Sequence, residues 1–278
     1  MEYIYGAIIF LFGAALGSFI AVIGARYNTG LSFLKGRSAC FSCNAVLKKR
    51  DLIPLFSFLF LKGRCRYCNN KIPKETLIIE ILMGILSIMA ALKSEFLFQD
   101  FSLMSVASYL LLTAIFAVIL LIAMYDLRHF IIPDSFLVSF FVLSFLYLSI
   151  FPSFNFSFAV SSLLSAIILA LPFLLIFLVS KGTWFGFGDV KYILILSFFL
   201  GFGQGLSAII LSFWIGAAFS LAALSFKRIA PHINLPLFKN SLTMKSEIPF
   251  GPFLSIGIII SFYFNADLFQ IHSFFSTL

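Results

Sequence analysis

Charge is what this chain has least of. Only 11% of its 278 residues are Asp, Glu, Lys or Arg, and 11 residues are acidic, while 62% are hydrophobic and the mean hydropathy is +1.10. Soluble domains carry about a quarter of their residues as charges, so a water-soluble globular fold is excluded. Histidine occurs three times, at His129, His232 and His272, scattered and without an HExxH pair, so the common zinc-hydrolase arrangement is absent and these residues read as ordinary loop or surface positions. Cysteine is missing from all but one short segment. A charge-poor N-terminus also speaks against a cleaved signal: Glu2 precedes the first apolar run and the first basic residue, Arg26, follows it. These flanks imply a retained first span with its N-terminus outside.

What fills the chain instead is apolar sequence, with Phe alone at 39 positions. A helix needs about 20 apolar residues to cross a bilayer. Runs near 4–24, 76–92, 104–125, 135–151, 158–180, 190–203, 206–226 and 250–265 predict an all-α polytopic membrane protein of about eight helices. If the first runs inward, residues 25–75, 126–134, 181–189 and 227–249 face the cytoplasm. They hold eleven, one, one and four Lys or Arg, and with Lys191 they account for all but Lys93. The positive-inside bias supports that orientation, with both termini outside. The net charge of +8 thus flanks apolar runs, which argues against nucleic acid and for membrane lipid as the surrounding partner.

The largest polar segment, 25–75, is too polar for the bilayer and too small for a core of its own, so a cross-link must hold it. All four cysteines lie there as two C-x-x-C pairs, Cys40 with Cys43 and Cys65 with Cys68, 21 residues apart. Two such knuckles complete a tetrahedral four-thiolate site for structural zinc. Redox-active pairs and disulfides are the alternatives, the latter disfavoured in a reducing cytoplasm. A closed four-sulfur site leaves the metal no position for a reacting water. The chain therefore divides into a first transmembrane helix, 1–24, a cytoplasmic zinc-binding loop domain, 25–75, and a membrane domain, 76–278.

Acidic residues in or beside spans are few: Glu80, Asp126, Asp134 and Asp189. Each is expensive in a membrane and so a functional candidate. Asp134 follows Ile132-Pro133 at the start of a span and reads as a helix N-cap. Glu80, one turn inside its helix, is expected to pair with a basic loop residue. Asp126 and Asp189 end and begin spans at one face although 63 residues separate them. Two carboxylates sharing a partly desolvated cleft cannot both ionise readily, so one keeps a proton while the other activates water. Separate structural roles or an ion pathway, as in a membrane transporter, remain the alternatives. In TWFGFGDVK, Gly186 and Gly188 remove side chains just before Asp189 and would let an extended backbone approach it, though a flexible helix-entry turn has the same composition.

Five stretches in the same order resemble the prepilin peptidase, or type IV leader peptidase, family of GxGD membrane aspartyl proteases. They are GSFIAVIGAR at 17–26, the first cysteine pair followed by RDLIPLFSFLFLKGRCRYC at 50–68, YDLRHFIIPD at 125–134, GFGDVK at 186–191 and IPFGPFLSIG at 248–257. The resemblance implies a bacterial inner-membrane enzyme in which Asp126 and Asp189 are catalytic. Its substrates would be type IV prepilins or pseudopilins, cut after a short basic leader. The resemblance also implies N-methylation of the new amino terminus with S-adenosylmethionine. No glycine-rich nucleotide loop of a soluble methyltransferase is visible, so such a site would be built from the loop domain and helix ends.

Overall fold

The computed structural model describes residues 2–30, 32, 37–40, 42–96, 102–151, 154–229 and 248–268. The expectations for most of the 227–249 segment, for His232 and His272 and for both extreme termini lie outside the described residues. The fold is helical, and among the described residues eight α-helices run in the order α1 Glu2–Arg26, α2 Phe56–Phe60, α3 Lys74–Lys93, α4 Leu103–His129, α5 Asp134–Ser149, α6 Phe156–Ser180, α7 Phe187–Ile229 and α8 Gly251–Phe264. Five of them, α1, α3, α4, α6 and α7, are long and apolar enough to cross a membrane.

Two differences from the sequence expectation have local causes. The expected helices at 190–203 and 206–226 are two arms of α7, broken at Gly201 with φ 73° and ψ −173°. That backbone region belongs to glycine, so the break is written in one residue. The expected spans at 135–151 and 250–265 are the short helices α5 and α8, of 16 and 14 residues. At 1.5 Å per residue they reach about 24 and 21 Å, short of a ~30 Å hydrocarbon core.

The chain divides into two compact units, Met1–Leu121 and Ile122–Leu278, with the boundary inside α4. The first is organised by α1 against α3. A Cβ on Gly13 would sit 2.5 Å from Ser87 Cβ and 2.6 Å from the Met83 carbonyl oxygen, and one on Gly17 would sit 2.8 Å from the Ile79 carbonyl oxygen. Gly13 and Gly17 are four apart on one helix face, and their missing side chains let the two backbones approach as in small-xxx-small membrane pairs. Tyr109 of α4 joins this unit through a 2.8 Å hydrogen bond with Ser87 and by stacking on Phe96 at 4.8 Å.

The second unit is built on α7, which packs against α5, α6 and α8. Buried aromatic rings link three of these helices: Phe140 of α5 meets Tyr192 and Phe199 of α7, both at 5.9 Å, and Phe199 stacks on Phe262 of α8 at 5.0 Å. Edge and offset ring contacts add about 0.5–1.5 kcal/mol each beyond area burial. The Tyr192 hydroxyl hydrogen-bonds to Ser255 of α8 at 2.9 Å. Farther along, a Cβ on Gly257 would lie 2.3 Å from the Ala208 carbonyl oxygen, another backbone contact that only glycine permits.

Gly17→Leu should therefore separate α1 from α3 and lower the thermal stability of the detergent-solubilised chain by about 1–3 kcal/mol, as overpacking does. Gly6→Leu, where a Cβ meets nothing within 4 Å, should leave the midpoint nearly unchanged. Equal effects in a thermal unfolding assay would refute the close-approach account.

Candidate active site

Asp126 lies in the last turn of α4 and is 4% exposed. Its Oδ2 accepts the backbone N–H of Gly251 at 2.9 Å. Gly251 opens α8, so its N–H is one of the donors that a helix leaves without an internal partner, and it points from the positive end of the helix dipole. A Cβ on Gly251 would lie 2.6 Å from Asp126 Oδ2 and 3.2 Å from Cγ. The approach of carboxylate to backbone thus requires glycine.

Asp189 is the third residue of α7 and half-buried. Its carboxylate accepts the backbone N–H of Gly186, the residue just before the helix. This is the third-residue arm of a capping box, in which an acidic side chain reaches back to the cap residue's N–H. A Cβ on Gly186 would come within 3.0 Å of Asp189 Oδ2, whereas one on Gly188 would meet Ile132 Cβ at 3.3 Å. The two glycines of GFGD do different jobs: Gly186 makes room for the carboxylate and Gly188 for the segment joining α4 to α5.

The charge on Asp126 acts on Asp189, so the two carboxylates are electrostatic neighbours, each held by one glycine N–H. Asp134 is not the cap of α5: Pro133 holds that position, and the Asp134 side chain makes no cap hydrogen bond. Asp134 forms an ion pair with Lys191, whose ammonium also lies 5.0 Å from the Phe187 ring centroid. Lys191, the cation nearest in sequence to Asp189, is thereby turned to Asp134. Of the histidines, His129 packs beside Tyr125 at 4.4 Å between ring centroids.

In the first unit, the sulfur atoms of Cys40, Cys43, Cys65 and Cys68 all lie within 4.8 Å of one another. The two pairs are built alike. Cys40 N–H bonds to the Ala45 carbonyl at 3.0 Å and Asn44 N–H to the Cys40 carbonyl at 2.9 Å; Cys65 N–H bonds to Asn70 at 2.8 Å and Asn69 N–H to Cys65 at 3.0 Å. Asn44 and Asn69 take positive φ, 54° and 62°, in both turns, a role Asn tolerates well. Cys40 and Cys68 sulfurs are 3.9 Å apart. A tetrahedron with Zn–S bonds near 2.3 Å has edges of about 3.8 Å, so the donor set fits a four-coordinate metal ion. Backbone N–H groups of Ser42 and Cys43 bring the Cys40 thiol down to about 6. Against a hydrogen bond from the Asn70 backbone, burial and the neighbouring sulfurs push Cys68 up to about 12. Thiolates are the metal-binding form of cysteine, so a bound cation would favour deprotonation of the four sulfurs.

Asp51 was not legible as a site residue. It is buried and accepts from Arg66 Nε at 2.7 Å, from the Lys48 N–H at 3.1 Å and from the Tyr67 hydroxyl at 3.2 Å. Arg66 and Tyr67 are the two residues between Cys65 and Cys68, so this carboxylate fixes the second knuckle from behind. Burial pushes its pKa up, but the Arg66 and Lys48 hydrogen bonds and the Arg66 charge win and hold it below the usual carboxylate value. Among the described residues, Glu80 has no basic partner of the kind expected. It is buried in α3 and accepts the Leu55 N–H at 2.8 Å and a hydrogen bond from Ser18 of α1. For Asp51, a folded-state pKa below the unfolded one adds stability that is present above about pH 3.9 and lost as pH falls through the lowered value. Hydrogen exchange over residues 64–71 should thus be faster in Asp51→Asn than in the wild type at neutral pH, and the difference should vanish in strong acid. A pH-independent difference would contradict this role.

Comparison with known proteins bears on both sets of residues. A model described as bacterial peptidase A24 N-terminal domain matches residues 11–94, which contain the four cysteines, and the type IV leader peptidase family model matches 113–221, which contain Asp126 and Asp189. A prepilin leader peptidase/N-methyltransferase of Bacillus subtilis (strain 168) is 27% identical over 270 residues, covering 96% of this chain and 97% of that protein. Proteins of the same name from Myxococcus xanthus and Klebsiella pneumoniae are 32% and 35% identical over 134 and 94 residues, alignments that span 48% and 32% of this chain and 37% and 41% of their own lengths. No solved structure matches. With both family models in order along the chain and one relative aligned almost end to end, this protein is an enzyme that belongs to the type IV leader peptidase family.

Proposed function

We propose that the chain is a membrane aspartyl endopeptidase that removes the basic leader from type IV prepilins or pseudopilins, with Asp126 and Asp189 as its catalytic pair. The observation that carries this reading is the pairing itself: two carboxylates at the ends of different apolar helices, electrostatically coupled and each oriented by a glycine N–H. In the proposed reaction the ionised carboxylate takes a proton from water as the oxygen attacks the scissile carbonyl. The other, protonated, donates its proton to the carbonyl oxygen. Collapse of the tetrahedral intermediate returns that proton and passes one to the leaving amine, so the pair ends as it began and no covalent enzyme intermediate forms. A transporter using the same residues as an ion pathway is disfavoured by the family membership.

Asp126→Asn and Asp189→Asn should each abolish cleavage of a co-expressed prepilin while the chain still inserts. The double variant should be little worse than either, because members of one unit are strongly non-additive. Asp134→Asn should retain substantial activity, since the Asp134 carboxylate is exposed and bonds to Lys191, not to either member of the pair. Near wild-type processing by Asp189→Asn would sink the assignment.

The positive-inside distribution supports placing the catalytic pair and the 25–75 loop at the cytoplasmic face of the inner membrane, with both termini outside and residues 76–278 as the peptidase domain. A prepilin leader is basic and precedes an apolar helix, which would bring its scissile bond to that face. In the loop, Cys40, Cys43, Cys65 and Cys68 would hold one structural zinc, which supplies a cross-link in place of an apolar core. Metal analysis of the purified chain should find one zinc per molecule, lost on Cys65→Ser, and reporters in 25–75 and at the C-terminus should respond from opposite sides of the membrane. A metal-free, fully folded loop or a cytoplasmic C-terminus would overturn the respective part.

The relatives' names support extending the proposal to N-methylation of the freed amino terminus with S-adenosylmethionine as donor. The hollow in the loop domain, about 440 Å³ and lined by Phe60, Lys62, Arg64, Arg66 and Tyr67, does not fit that cofactor, because its three cations would repel the sulfonium.

A further inference from the structure

The loop domain carries a feature that neither the metal site nor the catalytic pair uses. Between the two cysteine knuckles, Leu52, Ile53, Phe56, Leu59 and Phe60 are exposed, Leu59 at 66% and Phe60 at 82%. The last three belong to α2, a helix of five residues, all apolar except Ser57, that buries none of them. So large a set of neighbouring aromatic and aliphatic side chains on a small polar domain marks a surface that is covered in use.

Its position along α3 says by what. The segment is tied to α3 by the 2.8 Å hydrogen bond from the Leu55 N–H to Glu80. Glu80 is the seventh residue of α3, a membrane-spanning helix that starts at Lys74, so the tie lies ~9 Å along the helix axis from its first residue. Leu55 adopts a strained φ of 64° and presents its N–H to that buried carboxylate, whose second partner is Ser18 of the spanning helix α1. The apolar segment is therefore level with the second turn of a transmembrane helix and not with the water beyond its end. The charges agree: from residue 48 to 74 the sequence has Lys48, Lys49, Arg50, Lys62, Arg64, Arg66, Lys71 and Lys74 against a single acid, Asp51, which is buried on Arg66.

We propose that residues 52–60 are an interfacial anchor: Leu52, Ile53, Phe56, Leu59 and Phe60 dip into the acyl-chain region of the bilayer, and the flanking Lys and Arg residues bind the headgroups of anionic lipids. Amphipathic segments with basic flanks associate with membranes through these two contributions, buried apolar area and attraction to anionic lipid. The anchor and the Glu80 tether together fix the metal-binding knuckles on the membrane surface, which a single connection from α1 and another into α3 would not do.

The test uses the full-length chain with Trp184→Phe and Trp214→Phe, leaving the indole introduced by Phe60→Trp as the only one, in vesicles of phosphatidylethanolamine and phosphatidylglycerol. With acyl chains brominated near the headgroup, emission from the introduced indole should fall at least about twofold relative to unbrominated lipid, while aqueous acrylamide quenches it weakly. Replacing phosphatidylglycerol by phosphatidylcholine should reduce the bromine effect by about half. Strong acrylamide quenching with no bromine effect would overturn the proposal, as would bromine quenching that appears only after a prepilin is added, since the surface would then be a substrate site. Bromine quenching equal in both lipid mixtures would overturn the headgroup part. If the tryptophan-free background does not fold, benzoylphenylalanine at position 60 in the otherwise wild-type chain gives the same reading. Photoproducts carrying lipid support the anchor, and products free of lipid refute it.

Discussion

Two carboxylates at helix ends, near enough for the charge of one to act on the other, are the constraint around which the second unit is arranged. An acidic residue near the centre of a membrane helix costs about 2.5–3.5 kcal/mol on insertion scales, and a second nearby adds repulsion. Here the cost is limited by position, since Asp126 is in the last turn of α4 and Asp189 in the first turn of α7. It is offset further by two backbone donors. The Gly251 N–H, at the positive end of α8, meets Asp126, and the Gly186 N–H meets Asp189. Packing holds these donors in place: Tyr192 of α7 bonds to Ser255, one turn beyond Gly251, and the Phe140, Phe199 and Phe262 rings lock α5, α7 and α8.

The first unit follows a different logic. It has two closely packed helices, α1 and α3, whose glycines bring backbones into contact, and a polar loop whose described residues form no apolar core. Order in that loop comes from polar devices: the four-sulfur cluster, the Asp51 hub beneath the second knuckle and the Leu55 N–H on Glu80. Among the described residues, two carboxylates help to fix the loop, Asp51 to its second knuckle and Glu80 to the membrane helix.

What could be read from the sequence was whatever depends on short-range pattern. The all-helical membrane class follows from run length and hydropathy, and the cysteine cluster from two C-x-x-C pairs, each followed by Asn. The end-of-span positions of Asp126 and Asp189 were visible in the same way. Two apolar runs were legible in α7, but the break falls at Gly201, inside the first of them, and its cause, one glycine at positive φ, was not legible. Contacts between distant segments were hidden. Gly251 meets Asp126 across 125 positions, and although the IPFGPFLSIG stretch was visible, nothing in it pointed to a partner at Asp126. Asp134 read as a cap because Ser, Asp and Asn near helix starts usually are, but Pro133 takes that position and tertiary contact gives Asp134 to Lys191 instead. Glu80 was expected to seek a cation, and a strained backbone N–H took its place.

As proposed, Asp126 and Asp189 work as one unit in which a single proton is shared. The pH dependence of kcat/KM for cleavage of a purified prepilin tests it most directly, because a pair needing one ionised and one protonated member is active only between two macroscopic ionisations. A shared proton gives a bell-shaped profile with one-proton slopes on both limbs. A profile that rises through one ionisation to a plateau, with no fall at higher pH, would mean that a single carboxylate suffices and would contradict proton sharing.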